Sequence, residues 1–314
     1  MRLLRCSPIF QAISNLPRRY GDPMKTLGFE LSAARMALGI GLLLIVVAVA
    51  SAVSASTASA AYVAPSQVPT APARSVDGTY YITEPGVYSG HFDCPGISAA
   101  QFCVHVWNDR GVVLENFLIT TSGTAIQADS YTTVRFGEIW AHGGLSAHSE
   151  TGITIDGVAF NVTGGAIGLY DTAGSCEGLS TKRSYYHLII NSSFTNRGGN
   201  ETIWAKCTQS VSILYNTFRS GSQWSISLPD SRDVWIHGNS FSLSGAPSNW
   251  LAIELPRSHN VWIAWNWFGG RGNAWGVWAN SGTSYVTIEG NCATGAEILT
   301  GEIVPVWVFG NYYC

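Results

Sequence analysis

Basic residues are scarce in most of this chain. Its 314 residues include 17 Lys and Arg against 20 Asp and Glu. Six of the basic and two of the acidic residues precede Ala61, so residues 61–314 carry 11 basic and 18 acidic side chains, a net charge of about −7. Nucleic-acid binding depends on neutralising phosphates with many Lys and Arg side chains. The composition therefore argues against a nucleic-acid partner.

Metal-binding spacing is also missing. The chain has seven cysteines, but it has no C-x-x-C pair and no cluster of Cys and His with the spacing of a zinc site. The scattered histidines form no catalytic triad, and they include His142, His148, His187, His237 and His259. We therefore predict no metal and no cofactor.

Residues 1–60 predict an export signal. The uncharged run Ala37–Val53 follows basic residues, and Ala58-Ser59-Ala60 offers a small-residue cleavage site. The run is at the short limit for a membrane span, so an uncleaved membrane anchor is the alternative, and it would be the only membrane contact. Residues 61–76 are rich in Pro and Ala and indicate a linker. Residues 77–314 are the remaining domain, which we expect outside the cell or at its surface.

One pattern occurs three times between Val211 and Phe268, as VSILYNTF, VWIHGNSF and VWIAWNWF. The alternating apolar residues of each copy predict a strand with one buried face. The Asn of each copy predicts a corner, because Asn tolerates a left-handed backbone, and the Phe then returns inward. A further short strand precedes each copy. We expect the corner asparagines to stack as a hydrogen-bonded ladder of Asn216, Asn239, Asn266, Asn291 and Asn311.

The final Phe of this pattern recurs as an anchor at intervals of 19 to 34 residues. The anchor positions are Ile119, Ala141, Phe160, Phe194, Phe218, Phe241, Phe268, Ala293 and Tyr313. Repeats of this length form solenoids, in which neighbouring repeats supply the core. Variable intervals favour a β-helix over helical repeats, because insertions enter loops. The sequence therefore predicts an all-β solenoid of about nine coils with three strands each.

Six cysteines follow the first 60 residues, an even number that predicts disulfides in an exported chain. Cys94 and Cys103 bracket a short loop. Cys292 and Cys314 lie beside the last two anchors, so stacking places them on neighbouring strands. By position, the remaining pair is Cys176 with Cys207.

Between Asp77 and Cys314 the chain resembles the right-handed parallel β-helix of the pectate-lyase-like superfamily. The resemblance rests on the repeated strand pattern, and the opening segments DGTYYITEPGVYSG and CVHVWNDRGVVLENFLI are similar to extracellular β-helix repeat domains of archaeal and bacterial surfaces. The copies around Trp235 and Trp262 resemble the V-W-I-D-H-N segment of pectate lyases, whose Asp helps to bind calcium. That position holds His237 and Ala264 here. The R-x-P-x-x-R segment of the lyases and the N-T-D, paired-Asp and G-H-G motifs of polygalacturonases are not found, which puts their chemistry in doubt.

Paired carboxylates would be needed for glycoside hydrolysis, and the candidates are Asp230, Asp233 and Glu254. Asp230 and Asp233 also fit the alternative role of ordinary turn residues. Glu254 projects outward between two inward residues.

Outward tryptophans are the stronger signal. Trp204, Ser227, Glu254 and Trp278 are expected on successive coils, as one column that could bind sugar, and the surrounding loops carry Trp224, Trp250, Asp230 and Arg257. A second aromatic face holds Trp235, Trp262, Trp265, Trp267 and Trp307. Exposed aromatic side chains usually mark an interface, so burial under a loop and contact with another subunit stay open beside glycan stacking.

Three N-x-S/T sequons are candidates for glycosylation: Asn161, Asn191 and Asn200. The sequence favours an extracellular β-helix protein that binds polysaccharides or other glycans, or that has a surface-structural or adhesive role without catalysis. The alternatives are a polysaccharide lyase or glycoside hydrolase, and a self-assembling surface filament or other homo-oligomer.

Overall fold

A computed structural model describes Pro72 and residues 74–171, 176, 184–198, 201–220, 224–242, 251–280, 282–300 and 306–314. These residues belong to one compact unit, Val68–Cys314. The predicted export segment, most of the predicted linker, Asn200 and Trp250 lie outside the described residues. Within the described ranges the regular structure consists of strands, and no helix there is long and apolar enough to cross a membrane.

The strands stack in three parallel sheets that succeed one another along each coil. Sheet 1 contains the first halves of β2 (Gly86–Cys94) and β4 (Val112–Thr121), then β6 (Thr133–Arg135), β9 (Thr154–Asp156), β12 (Ser184–Ile190), β15 (Thr208–Leu214), β18 (Arg232–His237), β21 (His259–Ala264), β23 (Ser284–Glu289) and β25 (Val306–Phe309).

Sheet 2 contains the second halves of β2 and β4, then β7 (Glu138–Ala141), β10 (Ala159–Val162), β13 (Ser193–Asn196), β16 (Thr217–Ser220), β19 (Ser240–Ser242), the starts of β22 (Trp267–Ala279) and β24 (Cys292–Thr300), and β26 (Tyr312–Tyr313).

Sheet 3 contains β1 (Tyr80–Ile82), β3 (Phe102–Val106), β5 (Thr124–Gln127), β8 (Gly143–His148), β11 (Ile167–Tyr170), β14 (Ile203–Lys206), β17 (Trp224–Ser227), β20 (Leu251–Leu255) and the ends of β22 and β24. Successive coils pair strand to strand, so β2 to β24 make nine coils. The predicted all-β parallel β-helix is confirmed.

The core follows from the inward positions of each strand. Five phenylalanines, one per coil, stack with ring centroids 4.7 to 5.1 Å apart: Phe160, Phe194, Phe218, Phe241 and Phe268. Their side chains are at most 1% exposed. Each strand alone has one apolar face, and the neighbouring coils cover it, which is the expected source of stability in a solenoid.

One predicted anchor is wrong by two residues. The strand pairing aligns Ile119 with Ile139 and Ile139 with Phe160, so Ile139, and not Ala141, occupies the anchor position. Ala141 also points inward, on the same strand. Because side chains alternate with period two, the pattern cannot by itself distinguish two inward positions on one strand.

The asparagine ladder is confirmed, but the reason given for its corner is wrong. Asn216, Asn239, Asn266 and Asn291 are buried, and each backbone N–H from Asn216 onward donates to the amide oxygen of the next asparagine at 2.9 Å. The left-handed backbone belongs to the preceding residue, for example Tyr215 with φ 55°. The asparagines thus satisfy buried backbone groups instead of tolerating an unusual φ.

The three predicted cysteine pairs are all present. Cα atoms of Cys94 and Cys103 are 5.5 Å apart, those of Cys176 and Cys207 are also 5.5 Å apart, and those of Cys292 and Cys314 are 5.8 Å apart. These separations are ordinary for disulfides. The bonds join neighbouring coils or close a loop at the start, middle and end of the described solenoid.

Candidate functional site

The predicted outward column of sheet 3 is present in the strand register. Trp204 pairs with Ser227, Ser227 with Glu254, and Glu254 with Trp278. Toward the N-terminus the same column continues from Trp204 to Gly168. The side chains therefore stand on successive strands at intervals of about 4.8 Å.

A groove of about 500 Å³ lies on the N-terminal side of Trp204. Its lining spans four successive strands of sheet 3, from Thr124 through Ser146 and Gly168 to Trp204, a length of about 14 Å. Glu201 and His142, from the corner between sheets 2 and 3, also line it. The groove extends away from Trp278, so only one of the two predicted column tryptophans borders it.

Gly168 explains why the groove is open, whereas Gly144, another glycine in its lining, is required by close packing. A Cβ on Gly144 would lie 2.1 Å from the Ala166 carbonyl oxygen and 2.8 Å from the Phe160 ring, so no larger residue fits there. Gly168 is different, because a Cβ there would meet its nearest neighbour, the Tyr170 ring, at an ordinary 3.5 Å. The missing side chain of Gly168 therefore leaves open space between Ser146 and Trp204.

Aromatic contacts hold the Trp204 ring. Its centroid lies 5.1 Å from that of Tyr170, and the Tyr170 ring lies 4.1 Å from that of His148. The Tyr170 hydroxyl is hydrogen-bonded to His148 Nε2, which also lies 2.9 Å from Ser146 Oγ. Burial lowers the pKa of His148. A neutral imidazole can accept one hydrogen bond at this nitrogen, and the cluster fixes the orientation of Trp204.

Glu254 lies one strand beyond Ser227, whose Oγ donates to Glu254 Oε2 at 2.7 Å. Burial raises the pKa of the Glu254 carboxyl, the Ser227 hydrogen bond lowers it, and the charge of Glu201 raises it further. Two carboxyl groups therefore interact electrostatically beside Trp204. A carboxyl with a raised pKa can hold a proton nearer to neutral pH than usual, as a general acid must.

None of the three predicted carboxylates lines the groove, and of the other two Asp230 occupies a turn whereas Asp233 lies in β18. Asp230 has φ 56° and receives a bidentate ion pair from Arg257, with both N–O distances 2.6 Å. Asp233 has φ 54° and accepts hydrogen bonds from Gln209 at 3.0 Å and Asn260 at 2.6 Å. The turn and the ion pair of Asp230 fit the turn role that was the alternative in the sequence, whereas the turn expected at Asp233 is wrong, since this residue lies in a strand.

Trp224 is the first residue of β17 in sheet 3 and is partly buried. It pairs with Leu251, which pairs in turn with Trp275. The second aromatic face lies on sheets 1 and 2. Trp235 pairs with Trp262, Trp262 pairs with Thr287, and Thr287 pairs with Trp307. Trp265 and Trp267 are 61% and 39% exposed at the adjoining corner. The structure does not bring this face to the groove.

No group of three metal-ligating side chains occurs in the described part of the chain. Among the sequons, Asn191 is exposed, and its amide donates to Asp156 at 3.0 Å. Asn161 is partly buried on sheet 2. Glycosylation of both stays a prediction.

Sequence reasoning missed most of the groove lining, including Thr124, His142, Ser146, Gly168 and Glu201. The available signal was the pair of glycine-rich strands GGLSAH and IGLY, which offer little outward side-chain volume next to the column of Trp204. Glu201 had no comparable signal, because its position depends on the corner that precedes β14.

The three stacked parallel sheets with an internal asparagine ladder define a parallel β-helix protein. Neither a protein-family model nor a curated protein sequence matches the chain. Among solved structures, the A-module of the mannuronan C-5 epimerase AlgE6 from Azotobacter vinelandii is similar, with a TM-score of 0.55 and 17% identity. The alignment covers 74% of this chain and 66% of the epimerase module, slightly less than two thirds of its length.

Two further solved structures align with lower scores. The surface adhesin PfbA of Streptococcus pneumoniae has a TM-score of 0.41 and 13% identity, covering 76% of this chain and 82% of its own. Endopolygalacturonase I from Stereum purpureum, complexed with two galacturonate, has a TM-score of 0.39 and 12% identity, covering 74% and 96%. The alignment with the epimerase module, at 17% identity, shows a shared fold and nothing finer.

Proposed function

We propose that this is an extracellular or surface-attached β-helix protein that binds a glycan in the groove beside Trp204. The observation that carries the proposal is an indole ring, braced by Tyr170, at the edge of an open groove with the bare backbone of Gly168 in its floor. The apolar face of a pyranose ring suits the indole, and Thr124, Ser146 and Glu201 offer groups for sugar hydroxyls.

The fold and the disulfides support this proposal. The epimerase module with the same fold is named for mannuronan, a polysaccharide. Three disulfides suit an oxidising compartment outside the cytosol. Both observations are consistent with an exported protein that meets glycans.

Filling the groove tests the proposal directly. Gly168→Val places a side chain in the groove floor, where the backbone is an ordinary strand and the first contact is at an ordinary distance. We expect unchanged melting and loss of binding on a glycan array. Ser212→Val, an outward strand position on sheet 1, is the matched control and should bind like the parent. Retained binding by Gly168→Val would contradict the groove assignment.

Trp204→Ala tests the stacking surface. Burying one face of the indole against sugar is expected to contribute about 1.5–3 kcal/mol, so the variant should bind roughly 10- to 150-fold more weakly. If longer glycans extend past Glu254, Trp278→Ala should weaken binding of long oligosaccharides and leave short ones unaffected. If a Trp204/Trp278 double variant bound the glycan with the parent's affinity, the site would not be on sheet 3, and the second aromatic face would be the alternative.

Glycoside hydrolysis is a second candidate, because burial and the charge of Glu201 both raise the pKa of the Glu254 carboxyl. One carboxyl with a raised pKa and one ionised partner are the groups that this chemistry requires. Product analysis after incubation with bound glycans decides between the two functions. Under hydrolysis, Glu254→Gln abolishes turnover and keeps binding. Under binding alone neither form makes products, and only glycans long enough to reach Glu254 bind less tightly to the variant.

A further inference from the structure

A second cavity of about 360 Å³ lies on sheet 2, next to the groove. Trp140 and Asn161, on neighbouring strands, form its sheet side, and His142, Thr163 and Arg197 line it from the corner between sheets 2 and 3. Trp140 is 44% exposed. The cavity therefore repeats the combination found in the groove, an accessible indole ring beside polar side chains.

His142 joins the two cavities, because it lines both. Its Nδ1 lies 3.2 Å from Thr163 Oγ1, which fixes the imidazole on the side of the second cavity. No other residue in the described ranges lines both cavities. A ligand that leaves the groove over this corner would therefore pass His142 and reach Trp140.

The charged groups of the two cavities have opposite signs. Among the residues that the structure describes, the groove lining contains the Glu201 carboxylate and no Lys or Arg, whereas the lining of the second cavity contains the Arg197 guanidinium and no carboxylate. Arg197 is exposed and forms no ion pair with any residue that the structure describes. Glu138 is near this cavity, since the Asn161 amide lies 3.4 Å from it, but it is outside the lining.

We infer that the two cavities are adjacent subsites for one glycan, in which an uncharged sugar lies against Trp204 and a sugar carrying an anionic group lies against Trp140 and Arg197. The inference rests on the proposed glycan-binding function and specifies its ligand class. A glycan with an anionic group on every sugar would place a negative charge beside the Glu201 carboxylate, which is unfavourable. A fully neutral glycan would form no ionic contact with Arg197. The anionic group is a carboxylate or a sulfate ester, since a guanidinium binds both.

Four immobilised probes separate these cases, with full-length protein from a host that does not glycosylate it. They are chitin hexaose (neutral), hyaluronan hexasaccharide (alternating neutral and carboxylate sugars), keratan sulfate (sulfate esters without carboxylates) and polymannuronate (a carboxylate on every sugar). We expect one of the two mixed probes to bind more tightly than both chitin hexaose and polymannuronate. The mixed probe that binds identifies the anionic group.

Arg197→Ala should reduce the affinity for that mixed probe about 2- to 5-fold, the size of an exposed ionic contact, and leave chitin hexaose unchanged. Arg219→Ala is the matched control, because Arg219 is an exposed arginine on sheet 2, which borders this cavity, and lies outside the cavity lining. Trp140→Ala should weaken the mixed probe only. The difference between Arg197→Ala and parent should vanish at high salt, where exposed charges are screened.

Two results would contradict this inference and leave the proposed glycan-binding function intact. One is Trp204-dependent binding in which Arg197→Ala and Arg219→Ala behave alike, and the other is chitin hexaose or polymannuronate binding as tightly as the mixed probes. Absence of binding to all four probes, or binding that Trp204→Ala leaves unchanged, would contradict the proposed function itself.

Discussion

His187 is a polar side chain in an apolar column. It pairs with Val211 in sheet 1 and is 2% exposed. Its Nε2 lies 2.7 Å from Ser184 Oγ, and its Nδ1 has no hydrogen-bond partner among the described residues. Burial lowers the pKa of His187 to about 4. The imidazole is therefore neutral in the folded protein at neutral pH.

This burial makes stability depend on pH. In the unfolded chain the histidine has its ordinary pKa of 6.5, so between pH 6.5 and about 4 the unfolded state binds more protons, and acid lowers the free energy of unfolding. The difference between the pKa values of the unfolded and folded states corresponds to about 3 kcal/mol. His187→Val, which continues the valine column, should lose this part of the pH dependence in denaturant titrations at pH 7 and pH 4.5.

His91→Val, at an exposed histidine, is the control and should keep the parent's pH dependence. At pH 7 we expect His187→Val to be at least as stable as the parent, because an apolar residue replaces a half-satisfied polar ring. Equal acid sensitivity of the parent and His187→Val would show that other groups determine the response.

At the scale of elements, the asparagine ladder is the main polar structure inside the solenoid. Asn239 Oδ1 accepts from the backbone N and the side-chain Nδ2 of Asn216 at 2.9 and 3.1 Å, and its own Nδ2 donates to the carbonyl oxygen of Ile213 at 2.8 Å. One side chain thus satisfies two backbone groups of the preceding coil. Removing it leaves the buried Asn216 N–H without an acceptor.

Asn239→Ala should therefore lower the free energy of unfolding by roughly 1–3 kcal/mol or more without changing glycan affinity. Asn311→Ala, at the partly exposed last position of the ladder, should cost less because water can replace the lost contacts. Thermal melting and array binding of both variants provide the measurement. Reduced affinity with unchanged melting of Asn239→Ala would place the ladder in the binding site.

Strand order and inward positions were predictable because each follows from a short local pattern. The copies around Ile213, Ile236 and Ile263 place the same residue types in the same register, so the column of Trp204 and Glu254 could also be placed in advance. The groove could not, because a concave surface depends on missing side chains, such as that of Gly168, and on corners whose shape the strand pattern does not contain. Asp230 and Asp233 were ambiguous for a related reason, since a turn and an active site use the same residue type.

At the scale of the whole molecule, three disulfides cross-link the solenoid at its start, middle and end. We expect thiol titration of denatured, unreduced protein to detect no free thiol from residues 61–314, because all six cysteines are paired. Cys6, the seventh cysteine, would react only if the export segment is retained, so mass spectrometry of the labelled peptide is the control. One reactive thiol among the six would contradict the pairing. Assembly into a filament or other homo-oligomer stays a prediction.

The ladder also has a consequence for the folding of the chain. Each asparagine requires only another asparagine one coil away, at separations of 23, 27, 25 and 20 residues from Asn216 to Asn311. A chain threaded one coil out of step would therefore meet equivalent partners, because similar repeats offer similar surfaces. Cys207 precedes the ladder and forms a disulfide with Cys176, and Cys292 follows Asn291 and forms a disulfide with Cys314. The repeats between Cys207 and Cys292 contain no cysteine. The two disulfides can form only when the coils at both ends of the ladder are in the native register, so they distinguish that register from one displaced by a whole coil.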